Sequence, residues 1–197
     1  KSVGKSVEIL AAEHLADSGD CFFVENSLLS GVLGLYCWDI IFAPINGAFF
    51  NPFQQAPADF SSPEFIVQRQ SRFKNRLETL TMDTLKTRVW QQWEQKQGRA
   101  NPLVHWAGLS EGLLALSLDR IPLDHWRAIF VRLLRDIRNH RSGFPDLIHF
   151  PFSGSYDLVE VKGPGDKLQK NQIRWMAYFA AHGIPHRALH IRYSDEN

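Results

Sequence analysis

The sequence predicts an α/β domain whose sheet is assembled late in the chain, and three observations predict it. The 197 residues suit one domain able to bury its own core. Apolar residues recur at helical spacing over most of the chain up to Gly143. After that glycine the pattern becomes strand, turn, strand, helix, strand, the order that packs a helix on a sheet.

Composition narrows the function classes. Hydrophobic residues at 44% and charged residues at 22% describe an ordinary soluble globular protein, which argues against a disordered chain or a coiled coil. A net charge of +1 argues against a protein that binds nucleic acid with its whole surface, so any such surface must be local. Cys21 and Cys37 form neither a metal-binding spacing nor a disulfide framework, which fits core residues of a protein in a reducing interior. The most apolar run, Leu28 to Phe42, is interrupted by Asp39 and is too short for a bilayer, so no membrane association is expected. The chain starts at Lys1 and enters a helical pattern without an apolar signal core, which predicts a piece of a longer protein.

Val3, Val7, Leu10, Ala11 and Leu15 predict a helix over 2–17, stopped by Gly19. A short strand follows at 21–24. The segment 27–42 is apolar nearly all round and reads as a buried helix, with Glu25 just ahead of it. Pro, Gly, Asn and Gln make 43–62 an ordered, irregular loop of the kind that often serves a site. Ser62-Pro63-Glu64 predicts a helix to Leu80 with serine as cap, and Asp83 starts another that ends near Gly98. A shorter helix lies near 110–118. Pro122 opens a stronger one with Trp126, Ile129, Phe130, Leu133, Leu134 and Ile137 inward. Arg127, Arg132, Arg135, Arg138 and Arg141 lie on or just beyond it, opposed only by Asp136. Strands at 145–150 and 156–161, a helix over 167–182 packing Leu168, Trp175 and Phe179, and a strand at 186–192 complete the chain.

Asp146, Glu160 and Lys162 are the chemistry-bearing residues of this last part. Glu160 lies fourteen positions after Asp146, enough for two strands and a turn at Phe152-Ser153-Gly154-Ser155. Alternation puts Glu160 and Lys162 on one face while Val161 points into the core. Two adjacent carboxylates oppose each other's ionisation, and a divalent cation relieves that conflict. The Val161 carbonyl can add an oxygen ligand, and hard cations such as magnesium and manganese favour oxygen. With a lysine beside them, this is equipment for a metal-dependent phosphodiesterase. A bare Asp-x(n)-Glu-x-Lys match also arises by chance on the solvent face of an amphipathic strand, so that reading stands beside the functional one.

The flanking residues carry a resemblance. Gly143-Phe144-Pro145-Asp146-Leu147, then Glu160-Val161-Lys162-Gly163-Pro164-Gly165-Asp166-Lys167-Leu168, then Gln172 and Trp175 resemble the VRR-NUC branch of the PD-(D/E)xK nucleases. Glu25, the segment from Gly34 to Phe42, and Trp93-Glu94-Gln95 look like the C-terminal nuclease domain of the Fanconi-associated nucleases, so the resemblance spans nearly the whole chain. It implies an α/β, restriction-endonuclease-like fold: a mixed central sheet flanked by helices, in a single domain over 1–197. Residues 43–142 would form a mostly helical insertion before the catalytic hairpin, and 143–197 the catalytic core. It implies Glu25, Asp146, Glu160 and the Val161 carbonyl as metal ligands for one or two Mg2+ or Mn2+ ions. Asp146, Glu160 and Lys162 would be catalytic, with Asp166 and Gln172 as further signature positions. The implied activity is 5'-flap endonuclease and 5'-to-3' exonuclease action in interstrand crosslink repair. Its partners would be DNA with 5' flaps or branched ends, and repair proteins bound through regions outside this chain. The implied location is intracellular: the nucleus in a eukaryote, the cytoplasm or nucleoid in a bacterium.

Arg135, Arg138 and Arg141, with Lys167, Lys170 and Arg174, are candidate phosphate-backbone contacts, and their alternative is an ordinary solvated face. Arg69, Arg72, Lys74 and Arg76 form a second candidate patch. Trp38, Trp126 and Trp175 fall on apolar faces and read as core, while Trp90, Trp93 and Trp106 stay open for base stacking. His182, His186 and His190 lack a zinc spacing, and His140 and His149 lie near the site without a role. The rival readings are a Holliday-junction resolvase or restriction-type nuclease of the same fold, and a catalytically silent DNA-binding domain.

Overall fold

The computed structural model describes residues 5–192. Helix α1 (Val7–Ala16) is capped by Ser6, whose hydroxyl accepts a hydrogen bond from the Ile9 amide. Val3 and its neighbours, at the start of the expected 2–17 helix, lie outside the described residues. Strand β1 (Gly19–Phe23) follows.

The expected single helix over 27–42 is two, α2 (Leu28–Tyr36) and α3 (Trp38–Ile41), broken at Cys37. The break frees the Tyr36 carbonyl, which accepts from the Arg76 guanidinium, and the same guanidinium grips Asp39 at 2.7 and 3.0 Å. Helix α4 (Glu64–Glu78) has Pro63 at its N-cap with no side-chain cap bond, so Ser62 does not cap it. Helix α5 (Met82–Lys96) is capped by Thr81 and Thr84 bonding each other's backbone, not by Asp83. Helix α6 (Glu111–Arg120) has the Ser110 cap.

The long basic helix is also divided, into α7 (Leu123–Arg135) and α8 (Ile137–His140), because Asp136 leaves the helical conformation to cap Asn139. Strands β2 (Leu147–Pro151) and β3 (Asp157–Lys162) form the expected hairpin, with Gly154 at φ +97° in its turn, a conformation that favours glycine. Helix α9 (Lys170–Ala181) starts later than the sequence suggests, leaving Leu168 outside it, because Gln169 and Gln172 cap it reciprocally. Strand β4 (His186–His190) ends the fold.

The sheet order is β1-β2-β3-β4. Both β1/β2 and β2/β3 are antiparallel, whereas β3/β4 is parallel, with α9 as its crossover. Alternation separates two cores. On one face Leu147, Val159 and Val161 pack under Ala11 and Leu15 of α1. On the other, Ile148, Phe150 and Leu158 join Trp175 and Phe179 of α9 and the large apolar core of α2, α5, α6 and α7. Cys37 is buried and Cys21 partly so, both as free thiols. Among the described residues, no helix is long and apolar enough to cross a membrane.

Several residues singled out for their charge or ring serve the fold. Arg69 is fully buried, bonded to Asp59 at 2.6 Å and to the Ile40 carbonyl, and Arg76 is nearly so. The second basic patch is therefore reduced to Arg72 and Lys74 on the surface. Arg127 donates to the carbonyls of Leu77 and Leu80 at and just beyond the C-terminal end of α4, and Arg132 lies over the Trp175 and Tyr178 rings. Trp93 and Trp106 meet at a tilt of 45° with ring centroids 5.5 Å apart, and all three of Trp90, Trp93 and Trp106 are packed against the core, which leaves none of them a free stacking platform.

Candidate active site

The sheet brings three carboxylates to the same end of adjacent strands. The Val24 amide donates to the Asp146 carbonyl at 2.8 Å, extending the β1/β2 ladder by one rung and setting Glu25 immediately beyond it. Across the next pair, Leu147 faces Val159, so the register carried one residue further sets Asp146 against Glu160.

One residue further still, the register sets Val161 against Pro145. The bonds from Leu158 N–H to Pro185 and from Ile191 N–H to the Lys162 carbonyl aim the even-numbered peptide groups of β3 at β4. Peptide groups alternate along a strand, so those of Val161 face β2. Proline offers no N–H there. The Val161 amide is instead taken by Asp146 Oδ2 at 2.7 Å. The ladder thus ends at Leu147, and the Asp146 side chain replaces its next rung on the donor side only.

Glu160 is fully buried, and Lys162 is 8% exposed on the same face. Glu160 Oε1 accepts from Lys162 Nζ at 2.7 Å and from Gln172 Nε2 at 2.6 Å. Gln172 is held in turn by the Gln169 amide through its own oxygen at 2.8 Å. Glu160 Oε2 is buried without a hydrogen-bond partner among the described residues, a costly arrangement for a carboxylate oxygen. Burial pushes the Glu160 carboxyl up to about 7; the Lys162 hydrogen bond opposes this, and the Asp146 and Glu25 charges add to it. Burial also raises Asp146, against the pull of the Val161 amide and Lys162, with the Glu8 charge reinforcing the rise.

Glu25 is exposed and accepts from Asn26 Nδ2 at 3.2 Å. As the side chains stand, no three His, Cys, Asp or Glu residues among the described ones gather closely enough to hold an ion together. The donor chemistry nevertheless fits a hard divalent cation. It offers an orphaned buried oxygen of Glu160, the remaining oxygen of Asp146, a carbonyl facing a proline and the nearby charge of Glu25.

Asp166 Oδ2 accepts from the Gly163 amide at 2.9 Å, closing the turn that follows β3. Among the candidate DNA contacts, Arg135, Arg138, Arg141, Lys167, Lys170 and Arg174 are all exposed. Arg135 and Arg138 border a cleft of about 390 Å³ floored by Pro63, Ile66 and Val67, and Arg174 borders another of about 260 Å³ beside Asn139, His140 and Trp175. His140 is tied to the Arg132 carbonyl, and His149 lies across the sheet from Asp157 with Ser18 at 3.3 Å. Glu8 was not singled out in the sequence, where it reads as a first-turn helix acid.

The chain resembles known proteins throughout. It is 43% identical over 190 residues to a Fanconi-associated nuclease 1 homolog of Pseudomonas aeruginosa, covering 95% of this chain and 34% of that protein. To Fanconi-associated nuclease 1 of Danio rerio it is 34% identical over 194 residues, covering 94% of this chain and 20% of that one. The chain therefore spans about a third or less of the length of these relatives. A crystal structure of paFAN1 bound to 1nt 5'flap DNA with gap superimposes with a TM-score of 0.95 at 41% identity, covering 100% of this chain and 36% of that one. A mixed sheet flanked by helices, as the sequence predicted, is thus also the architecture of a solved relative. Residues 81–192 match the VRR-NUC domain model, and the chain belongs to the VRR-NUC family.

Proposed function

We propose that this chain is a divalent-cation-dependent, structure-specific DNA nuclease that hydrolyses phosphodiesters at 5' flaps and trims DNA from the 5' end in interstrand crosslink repair. The observation that carries this reading is the strand-end constellation of Asp146, Glu160 and Lys162, with an unpartnered buried oxygen on Glu160. Support for the DNA structure comes from a relative bound to 5'flap DNA. We further infer a single domain over 1–197, with 43–142 as the helical insertion and 143–197 as the catalytic core.

Glu160, Asp146, Glu25 and the Val161 carbonyl would hold Mg2+ or Mn2+. When bound, the cation supplies charge neutralisation and polarisation at the scissile phosphate. Lys162 is held by Glu160 at 2.7 Å, with ammonium protons left to orient an attacking water or to meet the charge developing on the phosphate. Gln172 fixes the Glu160 rotamer from α9, so the carboxylate is oriented before substrate arrives. Asp166 shapes the turn that leads away from Lys162. Exposed Arg135, Arg138, Arg141, Lys167, Lys170 and Arg174 would neutralise backbone phosphates. On this reading the protein would work inside the cell, in the nucleus of a eukaryote or the cytoplasm or nucleoid of a bacterium, and repair-protein partners would act through other parts of a longer protein.

The test is cleavage of 5'-flap, 3'-flap, four-way and linear DNA with Mn2+ or Mg2+, with Asp146→Ala and a chelator as controls. Preferential 5'-flap cutting that both controls abolish is expected. Undiminished cutting by Asp146→Ala overturns the site, and symmetric cutting of four-way junctions by a dimer would make the chain a resolvase.

A further inference from the structure

The cleft of about 260 Å³ lies between the corner of α7 and α8 and the first turns of α9. It adjoins the carboxylate cluster, because successive residues of α9 serve the two places. Gln172 reaches Glu160, while its neighbour Asn171 and, about one turn on, Arg174 and Trp175 line the cleft. Asn171 is seated against a glycine: Gly143 has φ +84°, and a Cβ there would stand 2.9 Å from the Asn171 Cβ. Gly143 leads within three residues to Asp146, so the wall of the cleft and the cluster share one packed frame.

Arg132 lines the cleft from α7. Its guanidinium carbon lies 4.5 Å from the Trp175 ring centre and 4.4 Å from that of Tyr178, two rings set at 87° to each other. Both rings are fixed, Trp175 Nε1 donating to the His140 carbonyl at 3.2 Å and the Tyr178 hydroxyl to the Ala128 carbonyl at 2.8 Å. Arg132 Nη2 donates to the Arg174 carbonyl at 3.0 Å. The charge is thus held in place without being neutralised. Arg132 Nε is buried and has no hydrogen-bond partner among the described residues. No ion pair among those residues includes Arg132 or Arg174. Asp136, also in the cleft and four residues after Arg132, is spaced to pair with it along a helix. Its oxygens are taken by Asn139 instead, by the amide at 3.2 Å and the side chain at 2.7 Å. Burial pulls the Arg132 guanidinium below its ordinary range; Tyr178 opposes this, and the charges of Arg135 and Arg174 add to it. A cation so placed calls for an anion with several acceptor oxygens.

We propose that this cleft is a phosphate subsite, seating a non-scissile phosphodiester of DNA on Arg132, Arg174 and Asn171. The inference rests on the function proposed above and adds a subsite to it. Arg132 is immobilised before DNA arrives, so it loses little side-chain freedom on binding, unlike the exposed Lys167 and Lys170. A phosphate gripped beside Gln172 would orient the strand whose neighbouring phosphates reach the carboxylates.

The test uses the whole 197-residue chain in chelator, where the proposed function binds DNA without cutting it. Affinity for fluorescent 5'-flap DNA is measured over a salt series for wild type, Asn171→Asp and Arg174→Ala, with thermal melting alongside. Asn171→Asp keeps the shape of the side chain, and an acid in the first turn of α9 suits the helix, so it should melt no lower than wild type. The charge it brings should weaken flap binding about fivefold, the scale of one charge pair near contact distance in water. Arg174→Ala should lower the slope of log K against log salt by about 1. A second measurement reads Arg132 without disturbing it. The Arg132 Nε–H resonance, identified in the nitrogen–proton NMR spectrum by its loss in Arg132→Met, should shift when flap DNA is added to wild type. Affinity and slope unchanged in both Asn171→Asp and Arg174→Ala, or a resonance that flap DNA leaves in place, overturns the subsite. The proposed function then still stands if wild type cuts flap DNA with Mn2+ and Asp146→Ala does not. A resonance shifted by inorganic phosphate and not by flap DNA also overturns the proposal, making the cleft a site for the free anion. Wild type that neither binds nor cuts flap DNA overturns both.

Discussion

Glu160 offers a quantitative test that does not depend on catalysis. Its carboxyl titrates at about 7 in the fold against an ordinary 4.5, chiefly because it is buried. The folded state therefore holds a proton that the unfolded chain has already lost, and the unfolding free energy falls as pH rises from 4.5 to about 7. At about 1.36 kcal/mol per pH unit this interval corresponds to about 3 kcal/mol, present below the unfolded value and lost above the folded one. Glu160→Gln carries no such proton, so its stability should lack this part of the slope. Asp157, also raised by burial, contributes equally to both proteins and cancels in the comparison, whereas the Asp146 charge is one of the causes of the Glu160 shift and goes with it. The assay is thermal melting by circular dichroism from pH 5 to pH 8 in chelator. About 2.5 kcal/mol of this falls between pH 5 and pH 8, so the Tm of the variant should gain roughly 5 to 10 °C on wild type across that range, given 2 to 4 °C per kcal/mol for a domain of this size. Parallel profiles for the two proteins would refute the burial of an ionisable carboxylate at this position.

Arg69→Met should lower stability by about 3 to 5 kcal/mol, because it strips Asp59 of its buried partner; denaturant unfolding measures this, and a variant that melts like wild type yet binds DNA more weakly would return Arg69 to the DNA surface. Arg135→Ala and Arg138→Ala should each lower the slope of log K against log salt for flap DNA by about 1, as expected for one lost phosphate contact; slopes equal to wild type would make both a solvated face.

The sequence was most legible where local rules act alone. The hairpin from β2 to β3 was readable because a glycine turn separates two runs that alternate, and the shared face of Glu160 and Lys162 follows from strand geometry whatever surrounds it. Helix existence was readable from periodicity, but continuity was not. The breaks at Cys37 and Asp136 depend on Arg76 reaching a carbonyl forty residues away and on Asp136 preferring a cap, and neither leaves a mark in the apolar pattern. Arginines were the least legible residues. Arg69, Arg76, Arg127 and Arg132 share helical faces with exposed cations, and only the fold shows that carbonyls, carboxylates and rings claim them. Glu25 entered through family resemblance, since in the pattern alone it is a carboxylate ahead of a helix.

Pro145 gives the open rung between β2 and β3 a further meaning. Any other residue at that position would bring a peptide N–H to the Val161 carbonyl, and the two strands could zip one rung further into ordinary sheet. Proline keeps that acceptor out of the protein's own hydrogen-bond economy and available to a ligand. If the carbonyl is a cation ligand as proposed, occupancy and strand pairing become one equilibrium. The metal would serve as the missing rung, and the loss of metal would be felt first as fraying of the sheet at its catalytic end.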